Sequence, residues 1–150
     1  MRGASVEPER FPLSVAQRDI WFGHLLDKTG CVYNIGLYTE IVGELDLQTL
    51  TIAAEHVVDH TESLRLRCYA RDDALWQEVV AARGETLTII DVRPEPDPSA
   101  AAVGRINAEL RRPFRLESEP PFRWLLLQIG DARWLWGQIY HHIAFDGQSA

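Results

Sequence analysis

The run Phe122-Arg123-Trp124-Leu125-Leu126-Leu127-Gln128-Ile129, then Gly130-Asp131-Ala132, then Arg133-Trp134-Leu135-Trp136-Gly137-Gln138-Ile139-Tyr140-His141-His142, decides the fold. Two long apolar and aromatic segments flank a short glycine-containing turn, which is the signature of an antiparallel hairpin. Pro120 and Pro121 set off its start. The second strand runs directly into His141-His142-Ile143-Ala144-Phe145-Asp146-Gly147, where a bend brings an imidazole, a carboxylate and a flexible glycine together.

Upstream of the hairpin, helical and strand periods alternate. Ser14-Val15-Ala16-Gln17 has the form of a capping box, and Trp21 with Leu25 and Phe22 with Leu26 pair at i,i+4, so a helix is expected over 15–27 with Gly30 beyond its end. Tyr33 to Val42 switches to period two, with Ile35, Leu37 and Ile41 on one side and Tyr38 and Val42 on the other, and reads as a strand buried on both faces. Asp46 can cap a helix carrying Leu47, Leu50, Ala54, Val57, Val58 and Thr61 on one face. Leu64, Leu66, Cys68 and Ala70 alternate with Arg65, Arg67 and Tyr69, and Asp72-Asp73 turns the chain into Leu75–Val80, a second hairpin. Leu87–Val92 is a further strand, Arg93-Pro94-Glu95-Pro96-Asp97-Pro98 an exposed connector, and Ser99–Arg112 a third helix. The expected fold is α/β in the α+β sense, one layered unit with helices packed on a mixed, largely antiparallel sheet. Residues 1–11 are expected to be a loose leader.

Composition narrows the function. The 150 residues carry 22 acidic and 15 basic side chains, net charge −7, without a basic run that could neutralise a phosphate backbone, so nucleic acid is not an expected partner. No window resembles a membrane span or a signal peptide, and a cytoplasmic location is the expectation. Cys31 and Cys68 stand far apart without a metal-binding or disulfide spacing and read as small hydrophobes. No Gly-x-Ser-x-Gly elbow offers a nucleophile.

In an extended strand neighbouring side chains face opposite ways, so His141 and His142 cannot converge on one metal ion, and no metal is expected. His142 falls on the alternation of Trp134, Trp136, Gln138 and Tyr140 and is the better candidate base. His141 falls with Leu135, Gly137 and Ile139 and reads as structural. Asp146 can hold the bend, and Gly147 permits close backbone approach.

His141-His142-x-x-x-Asp146-Gly147 resembles the active-site signature of the condensation domains of nonribosomal peptide synthetases. Ser14-Val15-Ala16-Gln17-Arg18-Asp19-Ile20-Trp21 is similar to that family's Ser-x-Ala-Gln-x-x-x-Trp opening motif, and Tyr33-Asn34-Ile35 sits where the family often has the same triplet. Glu62-Ser63-Leu64-Arg65 resembles the Glu-x-Leu-Arg of its second motif, although His60-Thr61 replaces the usual Arg-His and Leu66 the usual threonine. The resemblance spans Phe11 to Ser149. It implies a chloramphenicol-acetyltransferase-like fold of two lobes, of which residues 12–150 form the N-terminal lobe, cut just after the active-site motif.

The implied reaction joins a donor acyl or peptidyl thioester to an acceptor aminoacyl thioester, both carried on the phosphopantetheine of carrier proteins, to give the amide bonds of compounds such as antibiotics or siderophores. In that scheme His142, Asp146 and Gly147 are the catalytic positions, and His141, Arg65, Gln17 and Trp21 support the site. Arg65 is the implied salt-bridge partner of Asp146. No cofactor bound by the chain itself is implied. The partners are the two carrier proteins and the C-terminal lobe, without which the fragment is expected to be inactive. Alternatives within the superfamily are an epimerisation domain or a carrier-dependent O-acyltransferase. From another class, the chain could be a non-catalytic fragment that docks a carrier protein.

Overall fold

The computed structural model describes residues 10–81 and 86–145. In chain order the elements are β1 (Arg10–Pro12), α1 (Val15–Leu26), β2 (Asn34–Val42), α2 (Leu47–His60), a 3-10 turn (Glu62–Arg65), β3 (Leu66–Arg71), β4 (Ala74–Val79), β5 (Leu87–Asp91), α3 (Pro98–Leu110), β6 (Phe122–Gly130) and β7 (Arg133–His141). No described helix is long and apolar enough to cross a membrane.

The Phe122–His141 hairpin is the centre of the molecule. Strands β6 and β7 are antiparallel neighbours in a four-stranded sheet of order β2-β7-β6-β5, and β5 joins β6 in parallel through the α3 crossover. Because side chains alternate, β6 and β7 feed two separate cores. Leu125, Leu127, Leu135 and Ile139 pack on one face with Ile106 of α3 and with Trp21 of α1. Trp124, Leu126, Trp134 and Tyr140 pack on the other with Ala54 and Val58 of α2. Two cores thus form, one on each side of this sheet.

Strands β1, β4 and β3 form a second, three-stranded sheet. Its β3–β4 turn is built by Asp72 and Asp73, both at positive φ, 52° and 59°. Two successive left-handed residues give the turn a twist matching that of the strands, and short side chains with local hydrogen-bonding capacity tolerate that conformation best. Cys68 is buried where this sheet meets the first core, Cys31 is half-buried, and both are free thiols.

Several local expectations are corrected. Arg10 and Phe11, read as the end of a loose leader, pair with Glu78 and Gln77 as part of β1. Strand β2 is not buried on both sides. Leu37, Tyr38 and Val42 are exposed because β2 lies at the edge of its sheet with β7 as its neighbour, while α3 packs mainly on β6 and β7. Val57 is likewise exposed, on a helix whose buried positions are Ala54 and Val58. Leu64 and Arg65 belong to a tight turn, so β3 begins only at Leu66.

The helix termini use the capping chemistry written in the sequence. Ser14 and Gln17 form a reciprocal capping box at α1, and Asp46 and Asp97 accept from the first-turn amides of α2 and α3. The last carbonyls of α3 are satisfied from the sheet. Asn34 Nδ2 donates to Leu110 O and Arg112 O, and Arg123 donates to Glu109 O, Arg112 O and Pro113 O.

Helix α3 approaches β7 at a residue without a side chain. A Cβ on Gly137 would lie 2.6 Å from Ile106 Cγ1, so Gly137→Ala is expected to cost about 1–3 kcal/mol through overpacking. Gly104, on the same helix with nothing within 4 Å, supplies the control, since Gly104→Ala should gain about 1 kcal/mol of helix propensity. Urea denaturation of the two variants checks both signs.

Candidate active site

Strand β7 ends at His141, and the next residues turn back on themselves, with Ala144 N–H donating to His141 O at 3.1 Å. The backbone of the pair is pinned on both sides. His141 N–H donates to Pro121 O and His142 N–H to Tyr33 O, at 2.9 and 2.8 Å. His142 therefore lies one residue beyond the strand in which the sequence placed it. The two imidazoles still part company, one inward and one toward a cleft.

His141 is completely buried, 0% exposed. The Phe114 ring stands edge-on to it at 5.9 Å, Tyr33 lies 6.2 Å away, and His24 meets it at 5.0 Å in a T-shaped contact. Its Nδ1 accepts from Ile143 N–H at 3.2 Å, and since an amide can only donate, the proton of the neutral ring resides on Nε2. That Nε2–H points at His24 Nδ1, 3.3 Å away. Burial, followed by the neighbouring His24, pushes the His141 pKa down to about 3, and burial also lowers that of His24. A proton added to His24 Nδ1 would set one donor against another.

His142 is half-buried and differs in every respect. Its Nδ1 lies 2.8 Å from Phe145 O, and because a carbonyl only accepts, Nδ1 carries the proton and Nε2 keeps its lone pair. Nε2 has no hydrogen-bond partner among the described residues. Phe145 is fixed in turn by stacking on Tyr140, 4.1 Å between ring centroids and 6° from parallel. His142 borders an open cleft of about 460 Å³ lined by Ser14, Ala16, Gln17, Ile20, Ile143, Ala144 and Phe145.

Of the other positions singled out in the sequence, Gln17 shares that cleft. Its Nε2 donates to Gln77 Oε1 at 2.9 Å and reaches Ile143 O at 3.5 Å, so the opening motif braces the histidine turn directly. Trp21 is buried in the first core, outside the cleft lining. Arg65 closes the 3-10 turn and donates from Nη1 to Val80 O at 3.1 Å. Its expected partner Asp146, and Gly147, lie outside the described residues. The sequence reading passed over His24, Phe145 and Gln77, and the backbone role of Tyr33. His24 had a legible signal, since it lies seven residues after Gln17 and so on the same inward face of α1. Gly23 leaves room for Tyr33, whose hydroxyl would collide with a Cβ at that position.

The Condensation domain family model matches residues 8–150. The dimodular nonribosomal peptide synthase of Bacillus subtilis (strain 168) is 36% identical over 138 residues, which is 92% of this chain and 6% of that protein. Enterobactin synthase component F of Escherichia coli (strain K12) is 33% identical over 143 residues, covering 94% of this chain and 11% of that one. The crystal structure of the starter condensation domain of rhizomide synthetase RzmA superposes with a TM-score of 0.86 at 34% identity over 93% of this chain and 34% of that structure. The chain thus spans a small part of these curated relatives and about a third of the solved domain.

Keeping His141 neutral has a pH signature. Between about pH 3 and 6.5 the unfolded chain binds a proton at this imidazole that the folded chain refuses. Stability from this position is complete above pH 6.5 and is lost progressively as the pH falls. Carboxylates held low by hydrogen bonds, Asp46 and Asp91 among them, add their loss only below about pH 3.8. The denaturation midpoint should therefore fall between pH 7 and 4.5. His141→Asn, which keeps an acceptor for Ile143 N–H but cannot titrate, should flatten that slope, and an unchanged slope would contradict the assignment.

Proposed function

The chain belongs to the condensation-domain family, and from that premise we propose that it supplies the first lobe of a domain making amide bonds between carrier-bound thioesters. The observation that carries this reading is the His142 imidazole. Its Nδ1–H is held by Phe145 O, and no partner among the described residues takes its Nε2 lone pair beside the cleft bordered by Gln17.

The chemistry asked of that nitrogen is modest. An α-amine has a pKa of about 8 and a thioester is an activated acyl group, so holding two tethered arms in register supplies much of the rate. The acceptor amine nitrogen forms a bond to the donor carbonyl carbon, and the C–S bond then breaks to release the donor carrier's thiolate. One amine proton passes to His142 Nε2 and from there to the leaving sulfur. Phe145 O stabilises the charged imidazole while it holds the proton. No covalent enzyme intermediate is needed. Asp146 is assigned the salt bridge to Arg65 that steadies the loop, and Gly147 the close approach to the reacting carbonyl. His141, Gln17 and Trp21 hold the scaffold.

The substrates are a donor acyl or peptidyl carrier protein and an acceptor aminoacyl carrier protein, each presenting phosphopantetheine. The second wall of the reaction channel belongs to a C-terminal lobe, so this chain alone is assigned no turnover.

The test uses the chain joined to a condensation-domain C-terminal lobe, with both carriers loaded and the amide product followed by mass spectrometry. His142→Ala should slow amide formation about 10²-fold or more while its circular dichroism and denaturation midpoint stay near those of the parent. Undiminished turnover by that variant, or turnover by the 150-residue chain alone, would refute the proposal.

A further inference from the structure

We infer that His24 is a positioning residue for the site: through its contact with His141 it fixes the tautomer and orientation of that ring, and through them the turn that presents His142. The inference rests on the reading of His142 as the group that meets the substrate amine, but its structural content is separate.

The geometry leaves His141 little freedom. A neutral imidazole has one donor and one acceptor nitrogen, and Ile143 N–H takes the acceptor. The donor then needs a partner in a wholly buried position whose other close ring neighbours are Phe114 and Tyr33. His24 Nδ1 is that partner, at 3.3 Å. An imidazole N–H buried without an acceptor is costly, and rotation of the ring to find one would withdraw Nδ1 from Ile143.

Ile143 and Ala144 are the residues by which the turn hangs on His141, through Nδ1 and through the carbonyl oxygen. The same turn carries His142 and ends at Phe145, whose carbonyl defines the His142 tautomer. The turn thus hangs on His141 by its ring and by its backbone, and the ring in turn depends on α1. Gln17 reaches Ile143 O from the same helix, so α1 holds the turn at two points, one at its capped start and one two turns later.

The three histidines make the inference measurable. Long-range proton–nitrogen correlation spectra of the 15N-labelled chain at neutral pH should show His141 and His24 with an unprotonated Nδ1, and His142 with a protonated one. In His24→Ala, the His141 and His142 signals should move toward tautomer mixtures. In His24→Asn, whose side-chain oxygen can accept the same bond, they should return to the wild-type pattern. In the two-lobe domain His24→Ala should lower kcat about tenfold with KM for either carrier little changed, and His24→Asn should restore most of it.

A wild-type His141 protonated on Nδ1, or His24→Ala spectra identical to wild type, would overturn the inference. If the alanine variant does not fold, the wild-type tautomers and the asparagine variant still decide it. An inactive role for His142 would appear separately, as undiminished turnover of His142→Ala with all three tautomers as assigned.

Discussion

A neutral imidazole sealed at the end of the central strand is the constraint on which the site depends. His141 occupies a position that the alternation of β7 assigns to the core, in line with Leu135, Gly137 and Ile139. A leucine there would pack with less risk. What the imidazole adds is two directed hydrogen bonds in a fully buried position. One turns the chain back at Ile143, and the other ties that turn to α1. Buried polar contacts of this kind specify one arrangement because an unmatched nitrogen is expensive.

The surroundings are arranged to keep that ring in place. Phe114 stands against His141 on one side and receives the Arg123 guanidinium on its face, 3.7 Å from the ring centroid. The Arg123 side chain is only 9% exposed, yet its charge is matched by Glu119 and Glu109, and its donors close the carbonyls at the end of α3. Asn34, at the start of β2, closes two of the same region's carbonyls from the other edge. Helix α3 is thereby fixed to β2 and β6 at one end and packed on Gly137 of β7 by Ile106. The preceding residue, Tyr33, holds the backbone of His142, so the clamp on α3 and the histidine turn share one strand entry.

Much of this was legible in the residues, and the failures have physical causes. Helical periodicity and the acceptor side chains of Ser14 and Asp46 mark the first two helices, whereas the Asp97 cap of α3 lies hidden in a proline-rich run that reads as a plain connector. The exposure of β2 is not legible because apolar residues on both alternations look the same whether a strand is central or at an edge, and only the pairing partners tell them apart. The 3-10 turn at Glu62–Arg65 was absorbed into β3 because four residues are too few for a period to show. The separation of His141 from His142 followed from strand alternation alone. The link to His24 could not be reached that way, since it joins residues 117 positions apart through a tertiary contact.

The two adjacent histidines also show how identical side chains acquire opposite chemistry. Each ring is assigned its tautomer by one backbone group at Nδ1: an amide N–H for His141, a carbonyl for His142. The amide forces the first ring's proton inward onto Nε2, where it is spent on His24. The carbonyl keeps the second ring's proton on Nδ1, and Nε2 has no partner among the described residues. Reversing either backbone partner would reverse the ring. A local turn of four residues therefore carries out a division of labour that the sequence His-His cannot express by itself, and the turn is stable because its first ring is buried and its last residue, Phe145, is stacked on Tyr140.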